Sequence, residues 1–227
     1  FLLGEGIGMM DSTVMTDILS VPTVPWPSPA EGVDVSEWNG PVDWQAVRRA
    51  GKTFAIIRLG YGADHLDSLF YRNVNEALVA GLGLGVYRYS YAMTLTEARD
   101  EARHTAYILR DCGLTASKLP LGIWYDMEDS DNYKQNRGLT ADEAGRALMT
   151  DCCLQFATVL QSYGYPYVGV YANWDWWTNR LDESRLPMAK WVAQYNTTCD
   201  IDGAALWQYT DCLDIEGATF DGIRLLN

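Results

Sequence analysis

The sequence predicts an α/β domain built on a mainly parallel sheet, arranged either as a barrel or as an open doubly wound sheet. Strand and helix patterns alternate from about residue 31, which is typical of successive β–α–β units. Most of the strands are continuous apolar runs of the kind that a parallel sheet buries on both faces. No GxGxxG or P-loop motif follows a strand, which disfavours a nucleotide-binding sheet.

About eight strands are predicted. The first five are short apolar runs, several of them rich in β-branched and aromatic residues, and a helix separates each from the next. These five cover residues 32–36, 53–59, 86–91, 121–125 and 167–172. The end of the sequence differs, because little helix separates its strands. These last strands cover residues 190–193, residues 206–209 and a segment around Phe220.

The helices between the strands are marked by their ends. Asp43 is expected to cap the first helix, and Gly51 to close it. Two later helices begin with a threonine followed three residues on by a glutamate, which fits a capping box at Thr94 and at Thr140. The predicted helices cover residues 43–50, 69–80, 94–112 and 140–163, with a short helical segment at 174–179.

The first 30 residues are expected to lie outside the folded domain. Residues 21–30 hold four prolines, which predicts an extended linker. Residues 1–20 are mildly apolar but have no basic segment, so they do not form a complete signal peptide. We therefore expect residues 1–30 to be an N-terminal extension and proline-rich linker, and residues 31–227 to form the folded domain. Because the chain starts at Phe1, we also expect it to be part of something longer.

Composition narrows the classes of function. The 227 residues include 17 basic and 30 acidic residues, which gives a formal net charge of −13. Such an acidic protein is a poor partner for nucleic acid, whose phosphates require Lys and Arg. No apolar run approaches the roughly 18 residues that span a bilayer, so no membrane partner is expected.

The five cysteines form no CxxC pair, and the chain has only two histidines. A metal site is therefore not expected. Cys199 and Cys212 flank a predicted short strand and are a candidate disulfide, although they also fit as free thiols.

Three acids, Asp126, Glu128 and Asp129, closely follow the buried strand at residues 121–125. Because side chains alternate along an extended chain, Asp126 and Glu128 are expected on the same side. Two neighbouring carboxylates repel each other, so one tends to keep its proton near neutral pH while the other stays ionised. An acid beside a charge-stabilising carboxylate is what cleavage of a glycosidic bond requires.

Other polar side chains also fall near strand ends. Asp34, Arg58 and Tyr171 come from three different strands, and the carboxyl ends of barrel strands meet at one rim. We therefore expect these residues to converge on the acid pair. Alternatives remain, because the acids also fit a solvated strand end, and Asp34 also fits a structural salt bridge with Arg58.

The ordered set of motifs resembles one known family. Asp34-Val-Ser-Glu-Trp-Asn-Gly-Pro-Val-Asp-Trp44 matches its opening, and Phe54-Ala-Ile-Ile-Arg-Leu-Gly-Tyr-Gly62 matches its second strand. Trp124-Tyr-Asp-Met-Glu128 matches its Asp-x-Glu strand. Trp191-Val-Ala-Gln-Tyr195 and Leu206-Trp-Gln-Tyr-Thr210 match two later strands. With these motifs in this order, the chain is similar to the family 25 glycoside hydrolases, the muramidases called Chalaropsis-type lysozymes.

The resemblance implies a TIM-like (β/α)5(β)3 barrel that needs no cofactor. It implies hydrolysis, with retention, of the β-1,4 bond between N-acetylmuramic acid and N-acetylglucosamine. The expected partner is bacterial peptidoglycan. From the resemblance and the linker we expect a monomer that works outside the cell or at its surface, either secreted or released as a phage lysin.

The resemblance also implies roles for individual residues. Glu128 matches the general acid and Asp126 its partner carboxylate, while Asp34 and Asp221 match two further acids of the cluster. Arg58, at the same rim, is expected to bind substrate. The aromatic residues that match the lining of the family's groove are Tyr87, Tyr89, Tyr171, Trp191 and Trp207.

Two other classes of function stay open. One is a glycan-binding module whose chemistry is inactive. The other is a metal-dependent phosphodiesterase in which Asp34, Asp126 and Glu128 supply oxygen ligands. The three tryptophans Trp174, Trp176 and Trp177 fit either a platform for a glycan or a plug that packs a loop.

Overall fold

The computed structural model describes residues 26–226, which form a closed barrel of eight strands. A ninth, two-residue strand, β3, pairs only with the end of β2. The strands are β1 (Ala30–Val35), β2 (Phe54–Tyr61), β3 (His65–Leu66), β4 (Gly83–Tyr89), β5 (Ile123–Asp126), β6 (Val168–Asn173), β7 (Ala189–Ala193), β8 (Ala204–Ile215) and β9 (Ala218–Leu225).

Helices follow each of the first five barrel strands and cover the outside of the barrel. The α-helices are α1 (Trp44–Arg49), α2 (Phe70–Val79), α3 (Leu95–Asp111), α4 (Tyr133–Asn136) and α5 (Glu143–Ser162). Short 3₁₀ turns occur at Glu37–Asn39, Ala116–Lys118 and Glu183–Arg185, and a π-helical turn covers Trp176–Arg180.

The barrel closes through its last strand. Strands β1, β2, β4, β5, β6, β7 and β8 are all parallel, whereas β9 runs antiparallel to both β8 and β1. The order of the sheet is β1-β9-β8-β7-β6-β5-β4-β2, and β1 also pairs with β2. Five β/α units followed by three strands confirm the predicted (β/α)5(β)3 barrel.

The alternation of side chains across the barrel wall produces two apolar layers. The outer layer fills the space between the strands and the helices, and it includes Val33, Ile57, Tyr125 and Phe156. The inner layer fills the barrel itself. Its members are Phe54, Ile56, Tyr87, Leu121, Trp124, Tyr171, Trp191, Ala193, Leu206, Ile223 and Leu225.

Several predicted boundaries differ from the structure. Strand β4 begins at Gly83, three residues before the predicted start at residue 86. A Cβ at Gly83 would lie 2.7 Å from the Trp26 ring, so the close approach of that ring requires glycine. Strand β8 runs to Ile215, well beyond the predicted end at residue 209, because it forms a long hairpin with β9.

The two predicted capping boxes have different outcomes. At α3, Thr94 accepts a hydrogen bond from the amide of Glu97, and Glu97 accepts one from the amide of Met93. At α5, Asp142 is the cap instead of Thr140. The Asp142 carboxylate accepts a hydrogen bond from the amide of Gly145, and Thr140 donates to that same carboxylate. Two cap-forming residues, two positions apart, made the start of α5 ambiguous in the sequence.

The remaining predictions concern the thiols, metals, membranes and the N-terminus. All five cysteines lie in the described chain and are free, so the candidate Cys199–Cys212 disulfide is not formed. Within residues 26–226, no helix is long and apolar enough to cross a bilayer, and no group of three or more His, Cys, Asp or Glu has the geometry of a metal site. The predicted extension lies mostly in residues 1–25, which are outside the described part, so the domain boundary stays a prediction.

Candidate active site

A cleft of about 350 Å³ opens at the rim formed by the carboxyl ends of the parallel strands. Four carboxylic acids line it, namely Asp34, Asp126, Glu128 and Asp221. They reach the same place from three strands, because β9 runs in the opposite direction and brings the beginning of its sequence to this rim. The other predicted site residues that line the cleft are Arg58, Tyr87, Tyr89, Tyr171 and Trp191.

Asp126 is the last residue of β5, and Glu128 lies two positions further on. Both line the cleft, whereas Met127 between them is fully buried in the outer apolar layer. This arrangement follows the alternation expected from the sequence. The acid pair therefore faces the cleft and is neither split between the two faces of the sheet nor sealed inside the protein.

Asp126 is almost completely buried. Burial, together with the negative charge of Glu128, raises the pKa of Asp126 well above its ordinary value. Its Oδ1 atom has no hydrogen-bond partner among residues 26–226. A buried carboxylate oxygen without a partner is costly, so this atom is available to a ligand that enters the cleft.

Glu128 lies nearer the surface than Asp126 and forms part of the cleft wall. Burial raises the pKa of Glu128 to about 7, while the nearby ammonium of Lys134 limits the shift. The negative charges of Asp131 and Asp221 act in the same direction as burial. Glu128 therefore holds a proton through the mildly acidic range and is able to donate it close to neutral pH.

Lys134 is a buried residue beneath the acid pair, and nothing in its local sequence marks it as a site residue. Its ammonium is fully buried and donates hydrogen bonds to the carbonyl oxygens of Ser90 and Glu128, the latter at 2.6 Å. Burial lowers the pKa of Lys134, but the charges of Asp126 and Glu101 favour the ammonium form. Lys134 thus holds the chain at Glu128 in place and supplies positive charge behind both acids.

Asp34 and Asp221 lie directly opposite each other on the paired strands β1 and β9. Burial and the charge of Asp221 raise the pKa of Asp34 well above its ordinary value, and burial raises the pKa of Asp221 to about 6. Like charges in directly opposite positions destabilise a sheet, so this pair requires a bridging group.

That bridge is Gln208, a second residue that was not predicted from the sequence. Its Nε2 donates to Asp34 at 3.0 Å and to Asp221 at 3.1 Å. Its Oε1 accepts from the hydroxyls of Tyr171 and Tyr195, at 3.1 and 3.0 Å. All four bonds agree with one orientation of the amide. Gln208 lies two positions after the inward-facing Leu206 and therefore shares its side of β8, and that spacing was the available signal.

Arg58 does not pair with Asp34. Its guanidinium donates to Asp67 at 2.9 Å and to Glu37 at 2.8 Å, so the alternative of an Asp34–Arg58 salt bridge is wrong. Glu37 in turn accepts hydrogen bonds from the amide and hydroxyl of Ser68. This network anchors the 3₁₀ turn at the cleft rim, where Ser36 accepts a hydrogen bond from the amide of Trp38.

The aromatic residues divide by depth. Trp191 is buried at the floor of the cleft, where the rings of Tyr171 and Tyr87 lie against it at centroid distances of 4.6 and 6.0 Å. The hydroxyl of Tyr89 lies 3.0 Å from the hydroxyl of Ser130 on the cleft wall. Trp207 does not reach the cleft, because it points to the opposite face of β8 from Gln208. Its indole donates to the carbonyl of Gln194 at 2.8 Å.

A second cleft, of about 700 Å³, adjoins the first. Trp174 lines it and is half-exposed, whereas Trp176 and Trp177 are buried in the outer apolar layer. The tryptophan cluster is therefore split between the two roles considered for it. Trp176 and Trp177 pack the loop, and Trp174 faces a cleft.

Comparisons with known proteins agree with this architecture. Curated relatives include Lysozyme M1 of Streptomyces globisporus, 36% identical over 63 residues, and the autolytic lysozyme of Clostridium acetobutylicum, 23% identical over 189 residues. These matches cover 28% and 82% of this chain. They cover only 21% and 52% of the two relatives, so the chain spans about half the length of the second relative and less of the first.

Solved structures share the fold. The modular autolysin LytC of Streptococcus pneumoniae, determined in complex with a synthetic peptidoglycan ligand, gives a TM-score of 0.76 at 23% identity, over 87% of this chain and 46% of that one. The bacterial lysozyme of Streptomyces coelicolor gives a TM-score of 0.70 at 20% identity, over 89% of this chain and 94% of that one.

The family comparison extends over most of the described barrel. The model of the glycosyl hydrolases family 25 matches residues 33–218, from within β1 to the start of β9. This range includes the acid pair that ends β5 and the Gln208 bridge in β8. The chain belongs to the glycosyl hydrolases family 25.

Proposed function

We propose that the protein is an N-acetylmuramidase that hydrolyses the β-1,4 bond between N-acetylmuramic acid and N-acetylglucosamine in bacterial peptidoglycan. The observation that carries the proposal is the acid pair at the rim of a family 25 barrel. Glu128, with a pKa raised to about 7, lies at the cleft wall beside the more deeply buried Asp126. This arrangement supports transfer of a proton to a leaving oxygen near neutral pH.

Glu128 is the proposed general acid. As the bond between C1 of the muramic acid and the bridging oxygen breaks, the proton of Glu128 moves to that oxygen, which leaves as the hydroxyl of the next sugar. A water molecule then supplies hydroxide to C1 and returns a proton to Glu128. The reaction therefore restores the enzyme and consumes one water for each bond.

Asp126 is the proposed partner carboxylate. The charges of Lys134 and Arg58 favour its ionised form, and protonation of Glu128 removes the negative charge that opposes it. In one route Asp126 attacks C1 directly. In the other it accepts a hydrogen bond from the N–H of the substrate's own acetamido group, and the carbonyl oxygen of that group attacks C1. The free Oδ1 of Asp126 suits both routes. Either route proceeds through two displacements at C1, which gives retention of configuration.

The direct test is incubation with purified peptidoglycan, followed by mass spectrometry of the released sugars. New reducing ends on muramic acid are expected. Binding of the wall with no release of sugar would favour the glycan-binding module. Loss of activity with a chelator, and its return with a divalent cation, would favour the metal-dependent phosphodiesterase.

The proposed substrate sets the proposed location. Peptidoglycan lies outside the cytoplasmic membrane, so an enzyme that acts on it works outside the cell or at the cell surface, either as a secreted protein or as a phage lysin. We propose that it acts as a monomer, since the four acids that line the cleft all come from one chain.

Replacing Gln208 with Leu is expected to lower kcat about tenfold and to move the acidic limb of the pH–rate profile to higher pH. The amide donates to Asp34 and Asp221 and so favours their ionised forms, and without it their pKa values rise further. The measurement is the rate of reducing-end release between pH 3 and 9. Gln45→Leu, on the exposed side of α1, is the matched control, and an unshifted profile in Gln208→Leu contradicts the bridging role.

Replacing Asp221 with Asn is expected to stabilise the protein by about 1 kcal/mol at pH 8 and by little at pH 3. The pKa of Asp221 is raised to about 6 in the fold, so its contribution to stability is fully present below its unfolded pKa and is lost as pH rises through 6. The asparagine stays neutral. Partial exposure to solvent reduces the effect from the roughly 3 kcal/mol that the full pKa shift would give.

Urea unfolding at both pH values measures this difference. Asp214→Asn, an exposed position on β8 in the same hairpin, is the control. A gain of equal size at pH 3 and pH 8 would show that the stabilisation does not come from the charge of Asp221.

A further inference from the structure

The two clefts meet at Glu128, and their linings differ in a way that gives the groove a direction. Glu128, Ser130, Tyr171 and Asp221 line both clefts, so they form the junction between them. Asp126 lines only the first cleft, as do Asp34, Tyr87 and Trp191. Trp174 and Tyr195 line only the second cleft.

We propose that the second cleft is the binding site for the leaving sugar, an uncharged N-acetylhexosamine, and that Trp174 is its platform. This proposal rests on the proposed muramidase function. A general acid has to reach the oxygen between two sugars, so those sugars lie on either side of Glu128. The partner carboxylate has to lie beside the C1 atom that reacts, and Asp126 borders only the first cleft. The sugar that keeps C1 therefore occupies the first cleft, and the leaving sugar occupies the second.

The second cleft has the side chains that a neutral sugar requires. Trp174 and Tyr195 are 42% and 56% exposed, and each combines a flat apolar face with a polar edge. The Tyr195 ring is held by the bond from its hydroxyl to Gln208. The neighbouring Gln194 is held by a pair of hydrogen bonds with Asp200, at 2.7 and 2.8 Å. The binding surface is thus formed before the sugar arrives, which reduces the entropy cost of binding.

Charge supports an uncharged occupant for the second cleft. Glu128, Asp175 and Asp221 line it, and none of the described residues that line it is basic. A ring that carries a carboxylate or an acidic peptide is disfavoured among these three acids. The direction of the groove is derived from Glu128 and Asp126 alone, because the first cleft is itself lined by four acids.

The test compares two substrates that differ only in the leaving group. The first is a soluble peptidoglycan glycan chain. The second is the β-fluoride of the N-acetylglucosaminyl-N-acetylmuramic acid disaccharide, whose leaving fluoride places no sugar in the second cleft. Trp174→Ala is expected to lower kcat/KM about tenfold on the glycan and at most about twofold on the fluoride. Tyr107→Ala, an exposed tyrosine on α3, is the matched control and is expected to change neither value.

The results distinguish failure of the Trp174 assignment from failure of the proposed function. Equal losses on both substrates, no loss on either, or a loss confined to the fluoride would each overturn the assignment of Trp174 to the leaving sugar. A wild-type protein that hydrolyses neither substrate would instead overturn the proposed function itself.

Discussion

Replacing Glu128 with Gln is expected to reduce the release of reducing ends from peptidoglycan by about a thousandfold while the barrel stays folded. The amide fills the same space but has no proton to donate to the leaving oxygen, and general acid catalysis contributes roughly 10²- to 10⁴-fold. The protein is expected to unfold at the same or a higher urea concentration at pH 8, because a buried carboxylate has been replaced by a neutral group.

The pH–rate profile of the wild-type protein is a second test of Glu128 as the proton donor. Because burial raises the pKa of Glu128 to about 7, we expect activity to fall as pH rises through 7. The exposed Glu143 at the start of α5 provides the control, and Glu143→Gln is expected to retain full activity. Wall lysis that persists in Glu128→Gln would place the chemistry on another residue, and sugar binding without lysis in both proteins would identify a binding module.

Replacing Lys134 with Met is expected to lower the free energy of unfolding by about 3 kcal/mol at pH 7. The ammonium of Lys134 is fully buried, and it donates to the carbonyl oxygens of Ser90 and Glu128. Its removal leaves those oxygens without their donor, and of the positive charges that act on Asp126 and Glu101 it leaves only Arg58 and Arg88, respectively. Breaking a buried charge network on one side typically costs 3–5 kcal/mol. Urea unfolding is the measurement.

The same substitution is expected to change the pH profile. The positive charge of Lys134 opposes the rise in the pKa of Glu128, so the fall in activity at alkaline pH moves to higher pH in the methionine variant. Lys118→Met is a matched control, because this exposed lysine also donates to a carbonyl, that of Gly113 at 2.9 Å. Similar losses of stability in the two variants would show that burial beneath the acid pair gives Lys134 no special role.

Local patterns in the sequence predicted the alternation of strands and helices and the position of the acid pair, whereas the choice of a barrel over an open sheet came from the family resemblance. The period of two along an extended chain placed Asp126 and Glu128 on one side, and the structure has both at the cleft. The alternation of helices and strands, together with the helix-poor end, agreed with five β/α units and three further strands. The direction of β9 was not predictable, because strand direction depends on pairing with β1, almost 200 residues away.

The residues that were missed depend on distant neighbours. Lys134 reads as a surface lysine in a short polar helix, and only the fold shows that Ser90 and Glu128 surround its ammonium. Trp207 was assigned to the groove by family resemblance, but the alternation along β8 turns it to the other face, where Arg224 lies over its ring. The same alternation turns Gln208 inward. A stricter use of the period of two would therefore have predicted Gln208, and not Trp207, as a residue of the site.

The position of β9 between β1 and β8 also determines when the protein becomes complete during synthesis. A ribosome adds roughly 5–20 residues per second, so about 10 to 40 seconds separate the appearance of β1 from that of β9. Throughout that interval the edge of β1 that pairs with β9 has no partner, which exposes the nascent chain to association with other strands. Asp221 arrives on the last strand, so the nascent enzyme acquires its full set of acids only when Leu225 has been added and the barrel is shut.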